Sequence, residues 1–103
     1  MDRSAVIYLI GQTYAADKYG VLRATDTMRK VFAQVSSVSS AEWFEGGRNG
    51  LNPEYRFRIF GPEYHGEKIV LYKGERYSVY RTYEARDDVL ELYTERKQGD
   101  VQS

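Results

Sequence analysis

The sequence predicts a mainly β fold: a small antiparallel β-barrel of about six or seven strands, with one short helix in a long loop. Its 103 residues have the length of one domain. Ten tyrosines and only two prolines favour strands over helices. Tyr55, Phe57 and Ile59 alternate with Arg56 and Arg58, which is the period of a strand with one apolar face. Because such a sheet must close on itself or stack on another, we favour a barrel.

The first third of the chain is expected to contain three strands. Apolar and β-branched residues place strands at 5–13 and 21–25, on either side of the polar segment 16–20, and a longer strand at 28–38. Together with the later strands, residues 1–96 are expected to form one barrel domain. The polar, glycine-containing segment 97–103 is expected to be a flexible tail.

A helix is predicted directly after the third strand. Ser39 and Glu42 fit a capping box, in which a serine hydroxyl and a glutamate side chain satisfy free amides at a helix start. Gly46 and Gly47 are expected to end the helix after about two turns. A helix this short is not stable alone, so it must pack on the barrel.

The helix lies in a long connection, 39–53, that we expect to be exposed and mobile. Its packing is expected to depend on Trp43 and Phe44, which are equally open to a functional role. Beyond them the segment is rich in glycine and asparagine, including Gly50, which predicts an irregular path. Long irregular connections in small barrels often carry function.

The second half of the chain predicts a meander of strands. Residues 68–73 and 75–83 flank a reversal at Lys73 and Gly74, and this is the most secure hairpin. In its second strand the alternation puts four residues on one face, namely Tyr77, Val79, Arg81 and Tyr83. A polar break at 86–88 precedes a last strand at 89–95, with Leu90 and Leu92 directed inward.

Composition narrows the function classes. Fifteen basic and fifteen acidic residues give a formal net charge of zero, so no global field attracts nucleic acid or anionic lipid. The absence of cysteine excludes disulfides, thiolate catalysis and cysteine metal sites. The longest apolar run, 5–10, is far shorter than a membrane helix, and we expect a soluble intracellular protein. We expect no enzyme activity, no cofactor and no metal.

Two clusters have residue types found in chemical sites, but turns account for both. His65 lies beside Glu63 and could act as a base or ligand, but the sequence names no partner at a set distance. An acidic cluster, 84–88, could bind a hard cation through oxygen atoms. A solvated hairpin turn accounts for it without an ion.

Arginines and aromatic rings interleave in two strands, which leaves two interpretations open. Arg56 and Arg58 in one strand, and Tyr80, Arg81 and Tyr83 in another, have the pattern of single-strand nucleic-acid-binding barrels. The same residue types are enriched at protein interfaces. We favour the interface, because zero net charge supplies little attraction for phosphate.

The order and spacing of residues over 5–95 resemble one known family, the bacteriophage head-closure proteins, also called head-tail adaptor or head-tail joining proteins. The first half of the resemblance comprises Val31-Phe32-Ala33, Val35, Ser37, Ser39, Glu42, an aromatic at Trp43 or Phe44, Gly46, Gly50-Leu51 and Pro53. The second, more specific half comprises Glu63-Tyr64-His65-Gly66-Glu67, the run 72–83 and Leu90-Glu91-Leu92-Tyr93.

The resemblance implies a β-barrel that assembles into a ring, dodecameric when mounted, between the portal or adaptor and a tail-completion protein. It implies a location at the head–tail interface of the virion, and in the bacterial host cytoplasm during assembly. Double-stranded DNA would pass through the channel only as non-specific cargo. In some relatives the long loop projects into the channel and retains DNA. The corresponding loop residues here are Glu42, Trp43, Phe44, Gly46, Gly47, Arg48 and Gly50.

Interface candidates are Arg56, Arg58, Tyr80, Arg81 and Tyr83. The sequence departs from the family pattern at Trp43, where a smaller aromatic or another residue is common, and at Arg48, which adds a cation near the loop tip. An oligomeric ring needs two different surfaces on each subunit. Aromatic side chains on both faces of a strand can supply them. The neutral balance also suits a conduit, because a strongly basic lumen would retard DNA. The single-strand nucleic-acid-binding barrel remains the alternative function.

Overall fold

The fold is a closed antiparallel barrel, as the sequence predicts. The computed structural model describes residues 5–96, in which six strands follow one another around the barrel in the order β1-β2-β3-β6-β5-β4. The strands are β1 (Ala5–Ala16), β2 (Leu22–Ser37), β3 (Pro53–Phe60), β4 (Ile69–Tyr72), β5 (Glu75–Glu84) and β6 (Val89–Arg96). Helix α1 (Ser40–Arg48) joins β2 to β3, and a 3₁₀ turn (Gly61–Glu63) follows β3.

The barrel interior is filled by alternate residues of all six strands. Phe57 and Ile59 are fully buried, and Leu90 and Leu92 point inward beside them, as the period-two pattern predicts. The remaining core residues are Ile7, Leu9, Val31, Ala33 and Val70. Each large apolar side chain buried in this way contributes about 1.5–3 kcal/mol.

The expected division of the first third into three strands is wrong. Segments 21–25 and 28–38 form one strand, β2, which pairs with β1 from Ala5–Ala33 to Ala16–Leu22 without interruption. The polar residues between them sit opposite polar or small residues of β1, so the ladder continues through them. Asp17 closes the turn by accepting hydrogen bonds from the amides of Tyr19 and Val21. The result is a ribbon that extends beyond the barrel.

The predicted hairpin between β4 and β5 is confirmed. Lys73 and Gly74 form its turn with φ of 51° and 79°, the left-handed conformation that two-residue hairpin turns require. The predicted polar break between β5 and β6 is also a turn, with Asp87 and Asp88 at φ of 59° and 61°. Aspartate tolerates this conformation better than most residues.

The predicted common face of Tyr77, Val79, Arg81 and Tyr83 is wrong. The pairing of β5 with β6 shifts by one residue between Val79 and Arg81, which is a β-bulge. Before the bulge, Tyr77 is buried and Val79 packs on the core. After it, Arg81 lies opposite Tyr93 on the outer face. One extra residue therefore moves the arginine and the second tyrosine to the outside.

Helix α1 begins as predicted and ends later than predicted. The hydroxyl of Ser39 accepts a hydrogen bond from the amide of Glu42 at 3.1 Å, which caps the first turn. Gly46 and Gly47 do not end the helix, which continues to Arg48 and is capped by Asn49, whose side-chain amide donates to the Glu45 carbonyl at 3.0 Å. The expected tail, 97–103, lies outside the described residues. No helix within 5–96 is long and apolar enough to cross a membrane.

Candidate functional site: a helix fixed to the barrel wall

Helix α1 lies at one end of the barrel, where β2 leaves the wall and β3 enters it. The two strands come together beneath it, since the amide of Val38 donates to the carbonyl of Glu54 at 3.2 Å. The connection 39–53 contains the predicted short helix, which takes up nine of its residues and is bounded by two short links. Its position brings the helix beside β3 and within side-chain reach of β5.

The Glu42 side chain ties the helix to β5. Its carboxylate accepts hydrogen bonds from Arg81 at both oxygens, 2.6 Å from Nη2 and 3.2 Å from Nε. The Tyr80 hydroxyl donates to the same carboxylate at 2.6 Å. The reciprocal half of the predicted capping box is thus absent, because the carboxylate that would return to Ser39 is used on β5. The bulge in β5 makes this possible by bringing Tyr80 and Arg81 to the same carboxylate.

A chain of polar contacts continues across the wall from Arg81. Its guanidinium carbon lies 3.8 Å from the centre of the Tyr93 ring, a cation–π contact. The Tyr93 hydroxyl donates to Glu91 at 2.7 Å, and Glu91 also accepts from Nε of Arg58 at 2.8 Å. We call this set the wall network: Glu42, Arg58, Tyr80, Arg81, Glu91 and Tyr93.

Contacts within the wall network lower the pKa of its two carboxylates, and burial with hydrogen bonding raises the pKa of Tyr80. The hydrogen bond from Arg81 holds the pKa of Glu42 below its usual value. Burial alone would raise the pKa of Glu91, but hydrogen bonds from Tyr93 and Arg58 outweigh it, and the pKa is lowered. Burial, and then the bond to Glu42, raises the pKa of Tyr80. The carboxylates are thus stabilised in the charged form and the phenol in the neutral form.

A second anchor lies at Gly46, on the turn that faces β3. Gly46 is buried, and a Cβ at this position would overlap Cγ of Pro53. The amide of Leu51 donates to the Gly46 carbonyl at 2.9 Å. A close helix–strand approach, not backbone freedom, is therefore the reason for glycine here. Gly50 differs, because its φ of 79° requires the left-handed conformation.

The prediction that Trp43 and Phe44 pack the helix on the barrel is wrong. Their relative exposures are 54% and 66%. The two rings contact each other edge to face, with centroids 5.1 Å apart. They border a groove of about 590 Å³ that is also lined by Val38, Pro53 and Arg96. Glu42 and Gly46 hold the helix instead, which leaves the aromatic pair on the surface.

The other candidate residues differ in their contacts. Arg58, Tyr80 and Arg81 join the wall network, whereas Arg56 donates to the Ser36 hydroxyl at 3.2 Å. Tyr83 stays 56% exposed near the end of β5. On the helix, and within residues 5–96, no atom lies near the missing Cβ of Gly47, and the ion pair of Arg48 is an exposed 3.5 Å contact with Glu45.

Sequence reasoning missed Glu91 and Tyr93. Both alternate with the inward Leu90 and Leu92, a pattern that could have placed them on the outer face. Nothing in the pattern indicates that they contact Arg58 and Arg81. Across residues 5–96, no group of three or more His, Cys, Asp or Glu side chains is arranged to hold a metal ion.

Helix α1 and the wall network together have the features of a docking surface on a fixed support. Arg58 and Arg81 pair with carboxylates of the same subunit, and the rings of Trp43 and Phe44 face outward. Comparison of the chain with protein-family models and with curated proteins yields no match.

Proposed function

We propose that this protein is a structural component of a tailed-phage virion, which closes the head after DNA packaging and joins the portal or adaptor to the tail. It acts by assembly rather than by catalysis. Subunits associate in a ring, dodecameric when mounted, whose end carrying α1 docks on a neighbouring ring. It would be found at the head–tail interface of the virion, and in the host cytoplasm before assembly.

One observation carries the docking part of this proposal: the exposed Trp43–Phe44 pair lies on a helix whose other contacts fix it to the barrel. Partly exposed adjacent aromatic rings on a rigid support are typical of the anchors that dominate protein interfaces. Rigid support lowers the entropy lost on binding. The head-closure part of the proposal rests on the order and spacing of residues over 5–95, which resemble those of head-closure proteins.

The alternative function, a barrel that binds single-stranded nucleic acid, has weaker support. The exposed Tyr83 ring near the end of β5 favours it, since bases stack on such rings. Against it, Arg58 and Arg81 already pair with Glu91 and Glu42. Fluorescence anisotropy with a labelled single-stranded oligonucleotide at low salt tests this function, and salt-dependent binding would favour it over head closure.

Deletion of the coding sequence from the parent phage or prophage tests head closure. We expect heads that lose their DNA and tails that remain unattached in electron micrographs of lysates, with recovery when the protein is supplied in trans. Normal numbers of filled, tailed particles from the deletion strain would overturn the proposal.

A further inference from the structure

The ribbon formed by β1 and β2 extends beyond the barrel wall. Strand β1 pairs with β4 only over 8–10, and β2 pairs with β3 only over 34–37. Among the described residues, segments 11–16 and 22–27 therefore pair only with each other. Hydrogen bonds between the strands hold this part of the ribbon together, but they do not fix its angle to the barrel.

A buried carboxylate holds the base of the ribbon. Glu67 lies in the connection between β3 and β4, and it accepts two hydrogen bonds from Arg29 of β2, 3.0 Å from Nε and 2.7 Å from Nη2. Its other oxygen accepts from the amide of His65 at 2.9 Å. Nη2 of Arg29 also donates to the carbonyl of Glu63 in the same connection. The Glu67 side chain is only 6% exposed, so water competes little with these bonds.

Gly11 allows this carboxylate to approach the ribbon closely. Because Leu9 points into the barrel, Gly11 and the Leu9 partner Arg29 lie on the same face of the ribbon. A Cβ at Gly11 would lie 3.0 Å from Cγ of Glu67, and glycine within a strand often marks such a close approach. Gly11 also follows Ile10, the last β1 residue that pairs with β4. Since glycine restricts the backbone least, β1 bends most readily at this point.

Open space borders the ribbon on its other face. A cavity of about 380 Å³ is lined by Gln12 and Asp26 from the ribbon and by Lys68 and Arg76 from the barrel. Gln12 donates to Asp26 at 3.1 Å, so this contact stays within the ribbon. The cavity gives the ribbon room to move relative to the barrel.

The charge of Glu67 opposes that movement. Burial alone would raise the pKa of Glu67, but the hydrogen bonds from Arg29 and the His65 amide outweigh it, and the pKa is lowered. The carboxylate is therefore charged at neutral pH. Displacement of the ribbon would separate Arg29 from a buried carboxylate, and an unpaired buried charge is strongly unfavourable.

We propose that the Arg29–Glu67 pair is a latch that holds the ribbon at one angle to the barrel, and that its release lets the ribbon pivot at Gly11. This inference does not depend on the proposed function. While the pair is formed, the ribbon is a rigid extension of the barrel. Once either partner loses its charge, the ribbon samples a range of angles and the barrel keeps its shape.

Pairs of spin labels measure the angle of the ribbon, and the absence of native cysteine makes the labelling specific. The first pair joins the ribbon to the barrel, with labels at Ala24→Cys and Thr82→Cys. The second pair, Ser37→Cys and Thr82→Cys, reports on the barrel alone. All three positions are exposed. Pulsed electron paramagnetic resonance gives the distribution of distances for each pair, and urea unfolding verifies that each labelled variant is folded.

The latch is released by Arg29→Gln or by Glu67→Gln. The matched control is Arg23→Gln, because Arg23 lies on the same strand and its 3.0 Å ion pair with Asp17 stays within the ribbon and its turn. We expect the ribbon–barrel distribution to widen by about twofold or more in both latch variants and to stay unchanged in the control. The distribution within the barrel is expected to keep its width in every variant.

Arg29→Lys keeps the buried carboxylate paired, and it remains measurable if the glutamine variants do not fold. A lysine offers one ammonium group in place of the planar guanidinium fork, so we expect a width between those of the wild type and Arg29→Gln. Widths equal to the wild type in all latch variants that fold would overturn the inference. So would equal widening in Arg23→Gln, or widening of both label pairs, since the latter result indicates that the whole barrel is loosened.

Discussion

The Glu42 carboxylate and the Arg81 guanidinium meet in a two-bond fork between helix α1 and strand β5, with Nη2 2.6 Å from Oε1 and Nε 3.2 Å from Oε2. The carboxylate is largely buried and the guanidinium is half-exposed. Such planar pairs fix orientation as well as distance. The fork therefore sets the angle at which α1, and with it Trp43, is presented.

Glu42→Gln is expected to destabilise the protein by about 1–2 kcal/mol, because the amide cannot accept charge-assisted hydrogen bonds from Arg81 and Tyr80 together. Urea unfolding measures the change, and hydrogen exchange reports whether the α1 amides lose protection. The matched control is Glu45→Gln on the same helix, whose contact with Arg48 is exposed. It is expected to change stability by less than about 0.5 kcal/mol. Equal effects of the two substitutions would contradict the role of the fork.

The fork also predicts a dependence on pH. Because the pKa of Glu42 is lowered in the folded protein, its charge contributes stability above the unfolded pKa, about 4.3. That contribution is lost as the pH falls through the folded pKa, where the folded state takes up the proton. The difference in stability between the wild type and Glu42→Gln is therefore expected to shrink from about pH 7 to about pH 3. Urea midpoints across this range measure it, and a difference that widens in acid would contradict the assignment.

Much of the barrel could be predicted, because a strand that is half buried leaves its period in the sequence. The alternation of Tyr55, Phe57 and Ile59 predicts β3 at its observed position. Lys73 and Gly74 predict the hairpin turn in the same way. Ser39 placed the start of α1, since the capping serine acts on an amide only three residues away. These features are local, and local chemistry is sufficient to predict them.

The features that could not be predicted depend on contacts distant in sequence. Alternation in the sequence predicts which face of a strand a residue lies on only while the pairing is regular. The bulge that turns Arg81 outward depends on pairing with β6, so the sequence of β5 alone does not indicate it. Glu42 satisfies the capping-box pattern equally well whether its carboxylate returns to Ser39 or reaches Arg81. Tertiary packing decides which donor the carboxylate meets. The continuous β2 strand was missed because polar residues resemble a break unless their partners are known.

Gly46 and Gly47 provide a matched test of the close packing of α1 on Pro53. Gly46→Ala is expected to destabilise the protein by about 1–3 kcal/mol, because its Cβ would overlap the Pro53 ring. Gly47→Ala meets no atom and is expected to stabilise it by about 0.5–1 kcal/mol, since alanine is the better helix former. Thermal and urea unfolding measure both. A Gly46→Ala variant at least as stable as the wild type, or no less stable than Gly47→Ala, would show that α1 does not pack closely on Pro53 at Gly46.

Trp43 and Phe44 are expected to matter for docking and little for folding. Because both rings are exposed, replacing the pair by alanine is expected to change unfolding free energy by less than about 1 kcal/mol. The same variant, supplied in trans to the deletion strain, is expected to leave heads without tails. Trp43 is the chain's one tryptophan, so its emission should move to shorter wavelength when the wild-type protein is added to purified tailless heads. Glu45→Ala, on the same helix, is expected to restore tailed particles. Full rescue by the double alanine variant would show that the aromatic pair is not the docking surface.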